Sequence, residues 1–593
     1  MRSKFFMVMA ALLVITAGCK AGKTDEQAQP QAAGEGAVQE KAKDMKAASD
    51  VNREELQRAA DAFIQDYGVV VGGLYRDAGL AYWKAANTGD KAAFDEYAAK
   101  DLAARKYLSD PERFKKVQSF LKHKDLLTPV AARALKVIEL SYQENQLPPE
   151  MLEKLVTKSS EIEMTFNTFR AEIDGKKYTN NDLLDVLSKE KDSAKRQQAW
   201  EALKQVGARV GPMLLDLARV RNQAAVMLGF RNFWEMRMRL QDHDPDMVVA
   251  LFNDLRAKTD KPFADMKAGL DAELSQTFGV PVDKLMPWHY DNPFFQAAPP
   301  SPTLDLDIFY KDKTKEDIVA IGQKFFQDIG IPIDEIIANS DFYEREGKDQ
   351  HAFCTDIDRA GDVRMLLNVK PTQEWMDTML HESGHSAYSK YNDPTLPWAI
   401  RDAAHIFTTE GIAMLLGALA KNPTWLKAYA GADPATVDRV APELARQRQR
   451  EQLIFARWAM VMFFFERDLY ENPDRVDLNK LWYDHVEALQ GLTRPEGRDL
   501  PDWAAKPHFT IAPVYYHNYL LGELFASMLR QKLATMAGHQ GPASTLDFVG
   551  RKDFGTYIVD SIFKPGMAEP WPDFIKEAFG VPFSPDAFVS EVQ

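Results

Sequence analysis

From about residue 53 to the C-terminus, apolar side chains recur at three- and four-residue spacing and almost never alternate. Such spacing lines one face of a helix, whereas a half-buried strand needs period two. The pattern is clearest over residues 54–67, 91–107, 111–123 and 194–228. Ser109-Asp110-Pro111 and Asn180-Asn181-Asp182 read as helix starts, with Pro111 suited to a first turn. The best strand candidate is the short, partly β-branched run 363–369, so only a very small β element is expected. The Pro-rich stretch 293–302 reads as a surface loop. The fold expected over residues 53–593 is therefore mainly α, and no internal repeat divides it.

Ahead of this body the pattern changes. Met1-Arg2-Ser3-Lys4 is basic, residues 5–17 are apolar, and Gly18-Cys19 is small. That is the shape of a secretory leader, with an apolar run too short to span a bilayer comfortably. Thr16-Ala17-Gly18-Cys19 resembles a bacterial lipobox, with Thr16 where Leu is usual. The resemblance implies a lipoprotein signal peptide over residues 1–18, lipid on the Cys19 sulfur, and a place in the cell envelope. Lys20 points to the outer membrane if the organism is Gram-negative. Residues 19–52 are rich in Ala, Gln, Glu, Lys and Gly, too polar to bury a core, and read as a flexible tether. With Cys19 lipidated, Cys354 is the only cysteine left, so no intramolecular disulfide can form; Cys354 reads as a buried thiol. A formal net charge of −14 speaks against a nucleic-acid partner, because phosphate recognition needs a basic face. The chain is expected to be a monomer.

Residues 372–391 read TQEWMDTMLHESGHSAYSKY. Trp375, Met379 and Leu380 fit one helical face, Pro371 suits the start, and Asn392-Asp393-Pro394 suits the end. On that helix His381 and His385 stand one turn apart and point the same way. Two neutral imidazoles so placed can share one Zn²⁺ at about 2.0–2.1 Å each. Glu382 is rotated by about 100° from His381, where it can border an open coordination position and take a proton from water there. A catalytic zinc wants three protein ligands and one open site. Glu410 lies 25 residues past His385 in an apolar stretch, 403–419, that reads as a strong helix. His405 and Asp402 are its rivals. His405 lies five residues before Glu410 on another face, so Glu410 is the expected third ligand of one zinc per chain. His243, His289 and His517 read as structural.

At these residues the sequence resembles the angiotensin-converting-enzyme family of zinc peptidases, which pairs an HExxH helix with a glutamate on a following helix. Three further blocks carry the resemblance. His351-Ala352 stands thirty residues before His381, at the spacing of the family's substrate-binding histidine. KPHFTIAPVYYHNY, residues 506–519, resembles its Lys-x-His element and tyrosine pair, with one residue inserted. AKRQQAWEALKQVGARVGPMLLDLARVRNQAAVMLGF, residues 194–230, resembles its Ala-Trp and Asn-x-Ala-Ala helix. The resemblance implies a two-lobed helical body with a deep central cleft and peptide substrates. It implies Glu382 as base, His508 and Tyr519 as oxyanion donors, and His351 with Ala352 on substrate backbone. Lys506 and Tyr516 would hold a C-terminal carboxylate, favouring release of C-terminal dipeptides. Which of Tyr515 and Tyr516 faces the substrate stays open.

Three departures bear on specificity and chloride activation. The family's carboxylate-binding glutamine is read as replaced, with Tyr290 in its place. Its chloride arginine is Asn518 here, and its acidic residue one turn after the zinc glutamate is Met414. HESGH also resembles the carboxypeptidase Taq family, and the thimet oligopeptidase family shares HExxH with a distant Glu. His351 and the Lys506–His508 element argue against both. A non-catalytic, peptide-binding envelope lipoprotein is the reading from another class, and the intact Glu382 speaks against it.

Overall fold

The computed structural model describes residues 52–301 and 303–593. The leader, Cys19 and the tether up to residue 51 lie outside the described residues. Helix accounts for 69% and strand for 3%. No helix among the described residues is long and apolar enough to cross a membrane.

Helix α1 (Arg53–Thr88) starts where the Asn52 side chain accepts from the Glu54 and Glu55 N–H groups, and it stops at Gly89 in the left-handed conformation. Asp110 caps the helix Pro111–Leu121 in the same way, with Pro111 in its first turn. α1 and the helix Pro129–Glu144 enclose a small apolar core, joined by Ala399 and Ile400. A second small core surrounds Trp200 and Trp288. One large core, reaching from Ile162 to Val592, holds the rest. Through it run α2 (Ser193–Met227), α3 (Gln373–Lys390), α4 (Ile406–Gly417), α5 (Pro434–Glu471) and α6 (His517–Met536).

Two antiparallel hairpins are the only sheets among the described residues: β1 (Ala171–Ile173) with β2 (Lys176–Tyr178), and β3 (Phe353–Asp356) with β4 (Val363–Leu366). β4 is the expected strand, cut to four residues. Its partner β3 pairs in the register Phe353↔Leu366 to Asp356↔Val363 and packs against α3. β3 is too short to show alternation, so nothing in its own sequence announces it.

α3, α4 and α6 pack backbone against backbone, and three glycines make that possible. A methyl on Gly384 would lie 3.2 Å from the Ala413 Cα. One on Gly411 would lie 2.6 Å from Phe525 Cδ1 and 2.7 Å from the Gly522 carbonyl oxygen, and one on Gly522 would lie 3.2 Å from Glu410 Cβ. The two histidines of α3, Glu410 of α4 and the tyrosine-bearing start of α6 are thereby drawn together.

Two expectations need correction. α4 is shorter than the 403–419 stretch, because His405 ends the preceding loop as its N-cap. The expected loop 293–302, over its described residues 293–301, is not simply at the surface: Phe295, Ala298 and Pro299 are buried, and Gln490 donates to the Phe294 and Phe295 carbonyls. The aromatic side chains pull that segment inward despite its prolines.

Candidate metal centre and active site

His381 Nε2 and His385 Nε2 lie 3.2 Å apart, and Glu410 Oε2 lies 4.0 and 3.9 Å from them. Among the described residues this is the one group of three potential ligands whose donor atoms converge within 4.8 Å. A tetrahedral ion with bonds of about 2.0–2.1 Å holds its donors about 3.3 Å apart. The histidine pair already has that spacing, and the carboxylate needs to close by about 0.6 Å, within reach of a small side-chain rotation. His385 Nδ1 is hydrogen-bonded to Thr409 Oγ1 at 2.7 Å; when Nδ1 donates, Nε2 carries the lone pair.

The two oxygens of Glu410 differ. Oε1 accepts from the Tyr515 hydroxyl at 3.3 Å, while Oε2 is buried with no hydrogen-bond partner. A buried, unpaired carboxylate oxygen is unfavourable unless something positive meets it. Burial pushes the Glu410 carboxyl up to about 7, with Tyr515 pulling the other way. Burial also pulls His385 down to about 4, so its imidazole is neutral and can offer a lone pair. An orphaned carboxylate oxygen facing two imidazole nitrogens fits a divalent cation of the zinc type.

Glu382 sits beside this trio, 1% exposed, with Oε1 unpartnered. Burial first, then the Glu410 carboxylate, raise its carboxyl well above the ordinary range, and the Cys354 backbone N–H opposes them. β3 thus touches the expected base directly. Cys354 itself is a free, partly buried thiol.

The rival ligands are engaged elsewhere. His405 Nδ1 accepts from the Phe407 N–H at 3.3 Å, and its Nε2 donates to the Gln241 carbonyl at 2.6 Å. Asp402 bonds Arg359 at 2.5 Å and the Ala403 N–H at 2.7 Å. His243, His289 and His517 are buried as structural groups. Asp377, one turn before His381 on α3, is also buried; its Oδ1 would lie 2.7 Å from a methyl on Gly417, and His381 Cβ 3.4 Å from the same point.

The aromatic side chains of the C-terminal elements lie close together. The His508 and Tyr516 rings stand 5.0 Å apart, Tyr516 and Tyr519 5.4 Å, and Tyr515 and Tyr519 5.2 Å. Burial first, then the Glu410 charge and Tyr516, raise the Tyr519 hydroxyl above its ordinary range. Lys506 is 1% exposed, and burial pulls its ammonium down to about 7. Its Nζ donates to Gln296 Oε1 at 2.5 Å and lies 5.2 Å over the Trp458 ring and 5.5 Å over the Tyr516 ring. Here the reading of Tyr290 is overturned. The Tyr290 hydroxyl is tied to Asp271 and Lys267 at 2.8 Å each, and Gln296 is the amide beside Lys506. His351 stands apart from the buried group: it is exposed, its Nδ1 is 3.2 Å from Asp349 Oδ1, and Ala352 leads directly into β3.

The angiotensin-converting enzyme profile of the Peptidase_M2 family matches residues 54–281 and 287–584. The chain belongs to the angiotensin-converting enzyme family of metallopeptidases. It is 22% identical over 435 residues to an angiotensin-converting enzyme of Mesocricetus auratus, covering 67% of this chain but 32% of that protein. It is 22% identical over 366 residues to one from Haematobia irritans exigua, covering 56% of this chain and 58% of that protein. A chromosomal oligoendopeptidase F of Lactococcus lactis subsp. cremoris is 25% identical over 312 residues, 49% of this chain and 47% of that protein. The chain thus spans between about a third and three-fifths of the length of these relatives.

The side chain that meets Lys506 is the Gln296 amide and not Tyr290. Asn518 is built into a neutral network, accepting from His243 at 3.0 Å and donating to Gln241 at 2.8 Å. Gln296 and Thr409 are groups at the site to which sequence reasoning gives no role, and Tyr515 is there one of two candidates to face the substrate. A hydroxyl next to the ligand glutamate is the signal that points to Thr409. Gln296 lies 210 residues from Lys506, and no local pattern connects them.

Proposed function

We propose that this chain is a zinc-dependent peptidase that releases dipeptides from the C-termini of oligopeptides. The observation that carries the reading is the convergence of His381, His385 and the unpartnered Glu410 oxygen beside the buried Glu382. His381, His385 and Glu410 would hold one zinc ion. Zinc bound there would polarise the scissile carbonyl and ease loss of a proton from water. Glu382 takes the proton from the attacking water and carries it to the leaving amine. Tyr519 and His508 donate hydrogen bonds to the oxygen that gains charge as the carbonyl carbon becomes tetrahedral.

The dipeptide specificity rests on the pocket at Lys506. A buried ammonium, the Gln296 amide and the Tyr516 hydroxyl supply donors for a terminal carboxylate, with the ammonium as a point charge opposite it. His351 and Ala352, at the start of β3, serve the substrate backbone. The oligoendopeptidase relative makes internal cleavage the competing outcome. Hydrolysis of a short peptide series with free and amidated C-termini, with and without a chelator, tests both. We expect chelator-reversible release of C-terminal dipeptides from the free acids. Internal cleavage indifferent to the C-terminus would replace the dipeptidase reading, and chelator-insensitive cleavage would remove the metal from it.

The leader pattern supports a further element of the proposal: a lipid on Cys19 that tethers a monomeric peptidase to an envelope membrane through residues 19–52. Mass analysis of the mature N-terminus tests it. A diacylglyceryl-modified Cys19 is expected, and an unmodified N-terminus elsewhere would reject the anchor.

A further inference from the structure

We propose that Tyr515 is a positioning residue for the metal centre, its hydroxyl occupying one oxygen of Glu410 so that the carboxylate offers the other oxygen alone to the ion. The inference rests on the metallopeptidase reading above. Its basis is the asymmetry of one buried side chain: Glu410 is 2% exposed, Oε1 is met by the Tyr515 hydroxyl at 3.3 Å, and Oε2 faces His381 and His385 at 4.0 and 3.9 Å with no hydrogen bond. A carboxylate that gave both oxygens to an ion would fill two positions and crowd the vacancy that a catalytic site keeps for water. A hydroxyl on Oε1 favours ligation through Oε2 and keeps that vacancy open. Thr409 serves His385 in the same manner, so two of the three ligands are steered by a neighbouring hydroxyl.

The backbone before Tyr515 is shaped for this task. Val514 has φ 53, in the left-handed region that β-branched residues avoid. The conformation is held from both sides. The Val514 N–H donates to Glu466 Oε1 at 2.9 Å, and the Val514 carbonyl accepts from Gln241 Nε2 at 2.9 Å. Glu466 is buried in α5, and Gln241 is itself held through Asn518 and the Arg237 carbonyl. Strain that surrounding groups over-determine in this way is a mark of functional turns. It sends adjacent tyrosines in different directions. Tyr515 turns to Glu410, while Tyr516 turns to His508 and Trp458 at ring distances of 5.0 and 5.9 Å.

The test uses the full chain and its Tyr515→Phe and Tyr429→Phe variants, both of which keep the ring and its packing. Zinc affinity is measured by competition with a chelating dye, and coordination by the visible absorption of the Co²⁺-substituted protein, which weakens as coordination rises above four. For Tyr515→Phe we expect zinc affinity to fall by about 10- to 100-fold, as for other groups that orient metal ligands, and the cobalt absorption to weaken. Tyr429→Phe, which removes a hydroxyl bonded to Asp328 at 3.1 Å and not to any of the three ligands, should leave both as in the parent. Tyr515→Phe with parental affinity and absorption, or equal losses in both variants, would overturn the role of Tyr515 and leave the peptidase reading standing. A parent chain that binds no zinc would sink both.

Discussion

Replacing Gly411 by alanine should loosen the site without touching any group that does chemistry. The added methyl would meet Phe525 Cδ1 at 2.6 Å and the Gly522 carbonyl oxygen at 2.7 Å. Ordinary contact begins about 0.7 Å further out. The Phe525 ring can swing away, but the Gly522 carbonyl is helix backbone, so α4 and α6 must separate by roughly that distance. Glu410 precedes Gly411 and Tyr519 precedes Gly522 by one turn, so the separation widens the gap between ligand and oxyanion donor. Overpacking of this kind costs about 1–3 kcal/mol. A misplacement near 1 Å can lower turnover by about 10²-fold. Denaturant unfolding gives the first number, and kcat/KM on a dipeptide-releasing substrate gives the second. Gly73→Ala in α1 is the control: its methyl meets nothing within 4 Å, so it should be neutral or stabilise by up to about 1 kcal/mol. If Gly411→Ala matched its parent in both assays, the claim that these three helices are locked by their glycines would be wrong.

Other consequences follow from the same geometry. Glu382→Gln should lower kcat by about 10²–10⁴-fold while one zinc per chain is retained; near-parental turnover would refute Glu382 as the base. Lys506, drawn down to about 7, is protonated below that pH and loses its charge as pH rises through it. The ratio of kcat/KM for free-acid over amidated peptides should therefore be high below about pH 7 and fall above it, and Lys506→Met should flatten it. A ratio unchanged across that range in the parent would show that Lys506 does not read the carboxylate.

Much of this site is legible in the sequence because its pieces are local. HESGH sits on one helix whose period alone sets the two imidazoles together, and Glu410 lies in the next apolar helix, so spacing and periodicity suffice. His405 is no ligand, for a reason only structure supplies: both ring nitrogens are spent in capping α4 and bonding Gln241. What escapes is non-local. Gln296 reaches Lys506 because aromatic side chains drag a Pro-rich segment into the core. Tyr515 reaches Glu410 because a strained valine turns the chain, and no propensity predicts Val514 at positive φ. β3 escapes because four residues are too few to display a period. The glycine interlock is visible as letters, yet its meaning depends on which helices meet.

X-ray absorption at the zinc edge of the purified, zinc-loaded chain tests the central claim most directly. The account predicts one zinc per chain, bound by two imidazole nitrogens at about 2.0–2.1 Å and by oxygen, with one imidazole lost in His385→Ala. A chain that takes up no stoichiometric zinc, or one whose zinc environment is untouched when His385 is removed, would contradict it.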